Sequence, residues 1–297
     1  MQLLFLVLLG ALWGASFLFI KIGLESYGPM TLVVFRLLGA SAILYAVMRM
    51  QGHRLPRSRH IWWAMAVVGV VGLALPFSLI GWGEQYITSS LAAILISTTP
   101  LFTLMLVTLV THDEQFSVPR LIGALIGFSG VLVAVGIGPE LLVISNLLAV
   151  LAVSAAALCY AITAILAKRA FQGTAPIVTA VGTMLAGLVV ILPLAILIEG
   201  TPTLSPTRPA LVGMIGLTLL STALAYMLYY WLLAKLGASR TTMVTYLIPS
   251  FALVYAWLWL REPIGWHTLT GLLLVLGGIM LANGVFTRML RRPPAPA

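Results

Sequence analysis

ALWGASFLFIK, from Ala11 to Lys21, and ALCYAITAILAK, from Ala157 to Lys168, are two versions of one phrase. In each, a ring (Trp13 or Tyr160) stands in an apolar run of helix length, and a lysine follows eight residues later. The rings lie 147 residues apart in a chain of 297. Both phrases belong to long apolar runs, and the chain contains little else. It is 61% hydrophobic and 8% charged, with a mean hydropathy of +1.12. Soluble domains are about one quarter charged, so this surface calls for lipid as its solvent.

A hydrocarbon core of roughly 30 Å needs about 20 apolar residues per helix. Charges, Pro and Gly divide the sequence into ten such runs, near 3–22, 30–49, 61–82, 89–110, 120–138, 146–167, 175–197, 210–233, 241–260 and 265–286. Barrel strands would alternate apolar and polar residues, and these runs do not. The expected fold is an all-α integral membrane protein of ten transmembrane helices. The first run lacks a basic leader and opens one copy of a repeat, so it reads as retained rather than as a signal peptide. Cys159 is the one cysteine, which excludes an intrachain disulfide.

The net charge of +9 is distributed along the chain rather than gathered in a nucleic-acid patch. With the N-terminus inside, twelve Lys and Arg fall at inner ends and loops and four fall outside. The excess of positive charge on inner loops then places both termini in the cytoplasm.

The repeat covers nearly the whole chain. At an offset of 149, Trp82 meets Trp231, Ser90 meets Ser239 and Pro100 meets Pro249. At 148, Glu114 meets Glu262, Gly123 meets Gly271 and Gly130 meets Gly278. Each half, 1–139 and 140–297, holds five helices, and the second ends in a short basic tail. An odd number makes the second half enter the membrane from the opposite face. Such inverted repeats are typical of secondary transporters, with the substrate near the midplane between halves. The plain alternative is duplication retained for folding alone.

The ordered set of features resembles a known family. Trp13 with Lys21, Arg36 in VVFRLL, the stretch YITSSLAAILISTTPLF, an acid after helix 4 and G-x(6)-G in helix 5 are similar to EamA-type members of the drug/metabolite transporter superfamily. The second copy, running from LGASRTTM to LVLGG, follows the same pattern. The pattern also resembles that of YddG-like bacterial amino-acid exporters. The resemblance implies ten helices with both termini inside. It also implies export of amino acids or related metabolites, and a cavity built by helices 1, 3, 4, 6, 8 and 9 with helices 5 and 10 as scaffold. Thr183 stands at the Arg36 position of the second half, so the two gates need not work identically.

Lys21, Arg36 and Glu84 are the gate or charge candidates. An ionisable group in a membrane segment marks a functional hypothesis. Lys21 or Arg36 would meet a substrate carboxylate or a gate acid such as Glu84; the alternative is snorkelling to headgroups. Lys168 lies beside Arg169 at the expected cytoplasmic end, where topology explains it. For the substrate cavity the expected lining is Trp13 and Phe17 in helix 1, Tyr160 and Thr163 in helix 6, Tyr226 and Tyr230 in helix 8, and Tyr246 in helix 9. Spacing of four puts each ring pair on one helix face. Pro100 and Pro249 are expected to kink helices 4 and 9 and free a carbonyl each. Such carbonyls need protein or a wet cavity, and Ser97, Thr98, Thr99, Thr242 and Ser250 cluster there. Their hydroxyls either line the pathway or bond back to their own helix.

No nucleotide-binding G-x(4)-G-K-[ST] occurs, so ATP does not drive this chain directly. No acid lies clearly at mid-membrane. The reading is facilitated export or exchange of apolar or aromatic amino acids across the bacterial inner membrane, with proton antiport through Glu84 as a variant. A multidrug or nucleotide-sugar carrier is the rival within the superfamily. A membrane-embedded enzyme is more remote, since no HExxH, paired mid-membrane aspartates or GxSxG is present. A non-transporting scaffold is equally remote. No metal or cofactor is called for, and the expected partners are a small-molecule substrate and the lipid bilayer, with no nucleic acid, for a monomer.

Overall fold

A computed structural model describes residues 1–108, 118–136, 143–203, 205–237, 241 and 243–283. The described residues form helices joined by short turns, with no strand among them. We number ten helical stretches: α1 Gln2–Gly23, α2 Pro29–Met50, α3 Arg59–Gly83, α4 Ser89–Leu106, α5 Val118–Val135, α6 Ile144–Ala170, α7 Pro176–Glu199, α8 Arg208–Leu236, α9 Val244–Trp259 and α10 Trp266–Ala282. The first eight are long and apolar enough to cross a membrane; α9 and α10 are shorter apolar helices. Leu125, Leu132, Val189, Val212 and Leu273 stand exposed on the outside of the bundle. So much apolar surface facing outward suits a lipid surround. The expected division at residue 139 falls outside the described residues.

The helix starts follow local rules. Pro occupies the first turn of α2, α7 and α8, where a missing N–H costs nothing. Thr88 and Thr207 cap α4 and α8, each accepting a backbone N–H with its hydroxyl. Neighbours come in matched sets. α1 packs on α8 and α9, α6 packs on α3 and α4, α2 packs on α7, and α5 packs on α10.

The α5–α10 contact is built on glycine. A Cβ at Gly123 would lie 2.5 Å from the backbone nitrogen of Ala282, and one at Gly278 would lie 2.5 Å from the carbonyl oxygen of Gly123. Gly130 approaches Val275 and Gly271 approaches Ala134 in the same way. With no side chain between them, the two backbones touch and gain dispersion contact that lipid cannot supply.

Two helices depart from the expected uninterrupted spans. α3 passes through a π-helical turn at Val70–Ala74, and α8 through another at Leu219–Leu224. These are equivalent places at the 149-residue offset. Pro76 follows the first turn and, having no N–H, leaves a gap in the helix ladder. Position 225 is alanine, and there the Thr222 hydroxyl donates to the Leu217 carbonyl at 2.8 Å. α4 breaks at Thr98, just before Pro100.

Candidate functional site

Four rings meet in matched pairs at the centre of the bundle. Trp13 of α1 lies edge-on to Tyr226 of α8, with centroids 6.2 Å apart. Tyr160 of α6 lies edge-on to Phe77 of α3, with centroids 6.4 Å apart. Trp13 and Tyr160 are equivalent in the repeat, and so are Phe77 and Tyr226. Each pair is thus one helix-1-type ring against one helix-3-type ring. Edge-to-face pairs contribute about 0.5–1.5 kcal/mol beyond their burial. On the α8 side the cluster continues. Tyr229 is 5.5 Å from Trp13 and 5.4 Å from Tyr230, and Tyr226 is 6.0 Å from Tyr230. The matching places on α3 are Ile80 and Gly81, so the extension belongs to one half alone.

Arg36 of α2 reaches into this centre. It is 5% exposed. Its Nε donates to the Thr222 hydroxyl at 2.7 Å, inside the π turn of α8. Its Cζ sits 3.7 Å from the centroid of the Phe77 ring. Tyr160 and Tyr226 are its electrostatic neighbours. A space of ≈ 10 Å³ adjoins it, bounded by Ile20, Pro29, Leu32, Phe77, Gly81 and Leu217. At the equivalent place in the other half, Thr183 turns its hydroxyl back to the carbonyl of Thr179, at 2.8 Å.

At one end of the bundle, acids of the second half bond to helix starts of the first. Glu262 accepts from the backbone nitrogens of Ser89 and Ser90 at 2.8 and 3.1 Å and from the Ser90 hydroxyl at 2.6 Å. Glu199 accepts from the backbone nitrogens of Met30 and Thr31, both at 2.8 Å, and from the Thr31 hydroxyl. Each carboxylate satisfies unpaired N–H groups at a helix start and complements its dipole. Arg261, just before Glu262, holds a φ of 54°, a strained conformation for a bulky residue. The turn that presents Glu262 therefore stores strain that the contact must offset.

Lys21 donates to the main-chain carbonyls of Glu84 and Ile87. It meets the backbone of Glu84 rather than its carboxyl group. Glu84 is fully buried. One oxygen accepts from the Ser89 hydroxyl at 2.9 Å, and the other has no partner. Burial holds this carboxyl well above the usual carboxylate range; the Ser89 hydrogen bond and Lys21 oppose that, and Glu262 adds to it. Arg36 does not meet Glu84.

The other expected positions are spread more widely. Phe17 is buried among Ile20, Ile80 and Ala93, in an apolar cluster that also packs against Tyr160. The Thr163 hydroxyl donates to the Cys159 carbonyl, and its side chain packs on Gly72 of the first π turn. Ser97, Thr98 and Thr99 donate to the carbonyls of Ile94, Leu95 and Ile96 of their own helix. The carbonyl that Pro100 leaves free is therefore met by Thr99. Tyr246 accepts from Asn283 at 2.9 Å and takes no part in the ring contacts described above. Pro249 is buried within α9 and Ser250 half-buried beside it. Thr242 lies outside the described residues.

Several participants were not anticipated: Phe77, Tyr229, Thr222, Ser89, Ser90, Glu199 and the carboxyl role of Glu262. The repeat offset pairing Phe77 with Tyr226 was an available signal. Nothing local in the sequence marks Thr222 or Glu199.

Comparison with known proteins agrees with this architecture. The profile of the EamA-like transporter family matches residues 1–136 and again residues 147–284. The "Uncharacterized transporter YdfC" of Bacillus subtilis (strain 168) is 30% identical over 278 residues, which is 92% of this chain and 86% of the relative. A "Probable terminal-alkyne amino-acid exporter" of Streptantibioticus cattleyicolor is 29% identical over 279 residues, 94% of this chain and 92% of the relative. A solved crystal structure shares the fold with a TM-score of 0.68 at 18% identity, covering 98% of this chain and 99% of its own. Apolar helices and transporter relatives together make this a multi-pass membrane protein, and the chain belongs to the EamA-like transporter family.

Proposed function

We propose that this transporter exports amino acids with apolar or aromatic side chains across the bacterial inner membrane. Two inverted five-helix halves, residues 1–139 and 140–297, alternate access to one central site. Both termini lie in the cytoplasm, ten helices span the membrane, and a monomer suffices. The substrate moves down its own gradient or by exchange, without ATP.

The observation that carries this reading is the matched pair of ring contacts, Trp13 with Tyr226 and Tyr160 with Phe77. They come from α1, α8, α6 and α3, so both halves share one apolar site with phenolic handles. Such a lining suits a small ligand with an apolar side chain. The relative named as an amino-acid exporter supports the same substrate class. An outward-closed state is supported by Glu199 and Glu262, which tie the second half to helix starts of the first.

The test is a counterflow panel of radiolabelled amino acids in proteoliposomes without a pH gradient, with Tyr226→Ala beside the parent. Counterflow of apolar or aromatic amino acids, weakened by Tyr226→Ala, is expected. Counterflow of cationic drugs or nucleotide sugars instead would move the protein to the rival class. A requirement for a pH gradient would remove the uncoupled mechanism.

A further inference from the structure

Among the described residues, Arg36 is a buried cation without a counter-ion. The chain has seven acids. Asp113, Glu114 and Glu140 lie outside the described residues. Glu199 and Glu262 are committed to helix starts, and Glu84 to Ser89. Glu25 approaches Thr207, at 3.5 Å. None of these four described acids bonds to Arg36, whose hydrogen-bond partner is the neutral Thr222. A charge inside a membrane protein is costly unless it is paired.

The guanidinium is also oriented. Thr222 spends its own proton on the Leu217 carbonyl and receives Nε with a lone pair. Phe77 covers the flat face. What remains is the edge that carries both terminal nitrogens. A fork of parallel N–H groups held in one plane matches a carboxylate and binds it through two hydrogen bonds. The adjoining space of ≈ 10 Å³ has room for about one water molecule. That space is far smaller than an amino acid.

We propose that the terminal nitrogens of Arg36 form a carboxylate-binding site for the transported molecule, with the rings of Tyr160 and Tyr226 flanking the bound group. The proposal rests on the transport reading above and narrows it. The substrate must carry a carboxylate, and each transporter engages one, because Thr183 replaces the arginine in the second half. A single guanidinium fits a singly charged carboxylate better than a phosphate dianion. Lys21, the other cation of this part of the bundle, is held by the carbonyls of Glu84 and Ile87.

Thermal stabilisation of the detergent-purified protein reads binding apart from transport. The probes are L-phenylalanine, L-tyrosine and L-leucine, each against its amide, with 3-phenylpropanoate, phenethylamine and phenyl phosphate beside them. Carboxylates are expected to stabilise, and the amides and the amine to need about 100-fold more for the same shift, the loss of one partner of a buried hydrogen-bonded charge pair. Arg36→Gln should erase that difference, and Arg36→Lys should keep part of it. The parent protein alone decides the matter if Arg36→Gln fails to fold. Equal stabilisation by acid and amide, or none by any carboxylate, would overturn the proposal. So would stronger stabilisation by phenyl phosphate than by 3-phenylpropanoate. A carboxylate preference in binding with no counterflow of any amino acid would sink the transport reading and leave this site standing.

Discussion

The two halves of this chain can be laid over one another residue by residue, and they agree and disagree in different places. Glycines at the α5–α10 contact repeat: Gly123 with Gly271, Gly130 with Gly278. Rings at the centre repeat in kind: Trp13 with Tyr160, Phe77 with Tyr226. The π turns repeat in α3 and α8. What does not repeat is Arg36 against Thr183, and Tyr229 and Tyr230 against Ile80 and Gly81. Scaffold positions are shared because each half must pack by the same geometry. The unshared positions include the one buried charge, Arg36, and the two tyrosines that extend the ring cluster of α8.

The scaffold half of this comparison is the easiest to break. Gly130→Val and Gly278→Val should be equally damaging, because each drives a side chain into a facing backbone. Overpacking costs about 1–3 kcal/mol even where neighbours yield, and backbone yields least. Loss of the monodisperse peak on size exclusion is expected for both. Gly277→Ala, where a Cβ would meet nothing within 4 Å, should behave as the parent. A damaged Gly278 variant beside a healthy Gly130 one would end the claim of equivalence.

Arg36→Thr gives the first half the residue of the second and should lower counterflow by about 100-fold. Thr183→Val should change it little, since that hydroxyl bonds within its own helix. The rings should fall between scaffold and silence. Trp13→Ala and Tyr160→Ala are each expected to raise the half-saturation concentration by about 10-fold, the loss of one ring pair. Unequal effects would confine the site to one half.

The smallest effect concerns Glu84. Burial raises its carboxyl, so the folded chain keeps that proton at pH values where the unfolded chain has lost it. Above the ordinary glutamate value of about 4.3, the folded state then binds more protons than the unfolded state, and stability declines as pH rises. The melting temperature should fall by a few degrees as the pH rises above about 4.3. Glu84→Gln should flatten that slope, and an unchanged slope would remove Glu84 as its source.

Hydropathy carries the class and the repeat because both are properties of one dimension. Long apolar runs set helix existence, and equal spacing sets equivalence. Trp13, Tyr160, Tyr226 and Arg36 stand out for the same reason, as polar or bulky residues in apolar runs. Their partners do not. Phe77 is one apolar residue among many, and Thr222 is 186 residues from the arginine it bonds. Lys21 ends on main-chain carbonyls, which no side-chain pattern encodes. Glu199 and Glu262 reach helix starts more than a hundred residues away. The π turn of α3 had a local cue in Pro76, while that of α8 had none.

The single arginine has a kinetic consequence for an uncoupled carrier. Such a carrier cannot build a gradient unaided, so the ratio of maximal rate to half-saturation concentration must be the same in both directions. A scaffold with two identical halves would also equalise the two quantities separately. Arg36, bonded to Thr222 in this arrangement, removes that second equality. Influx and efflux should then differ in half-saturation concentration, and their maximal rates should differ by the same factor.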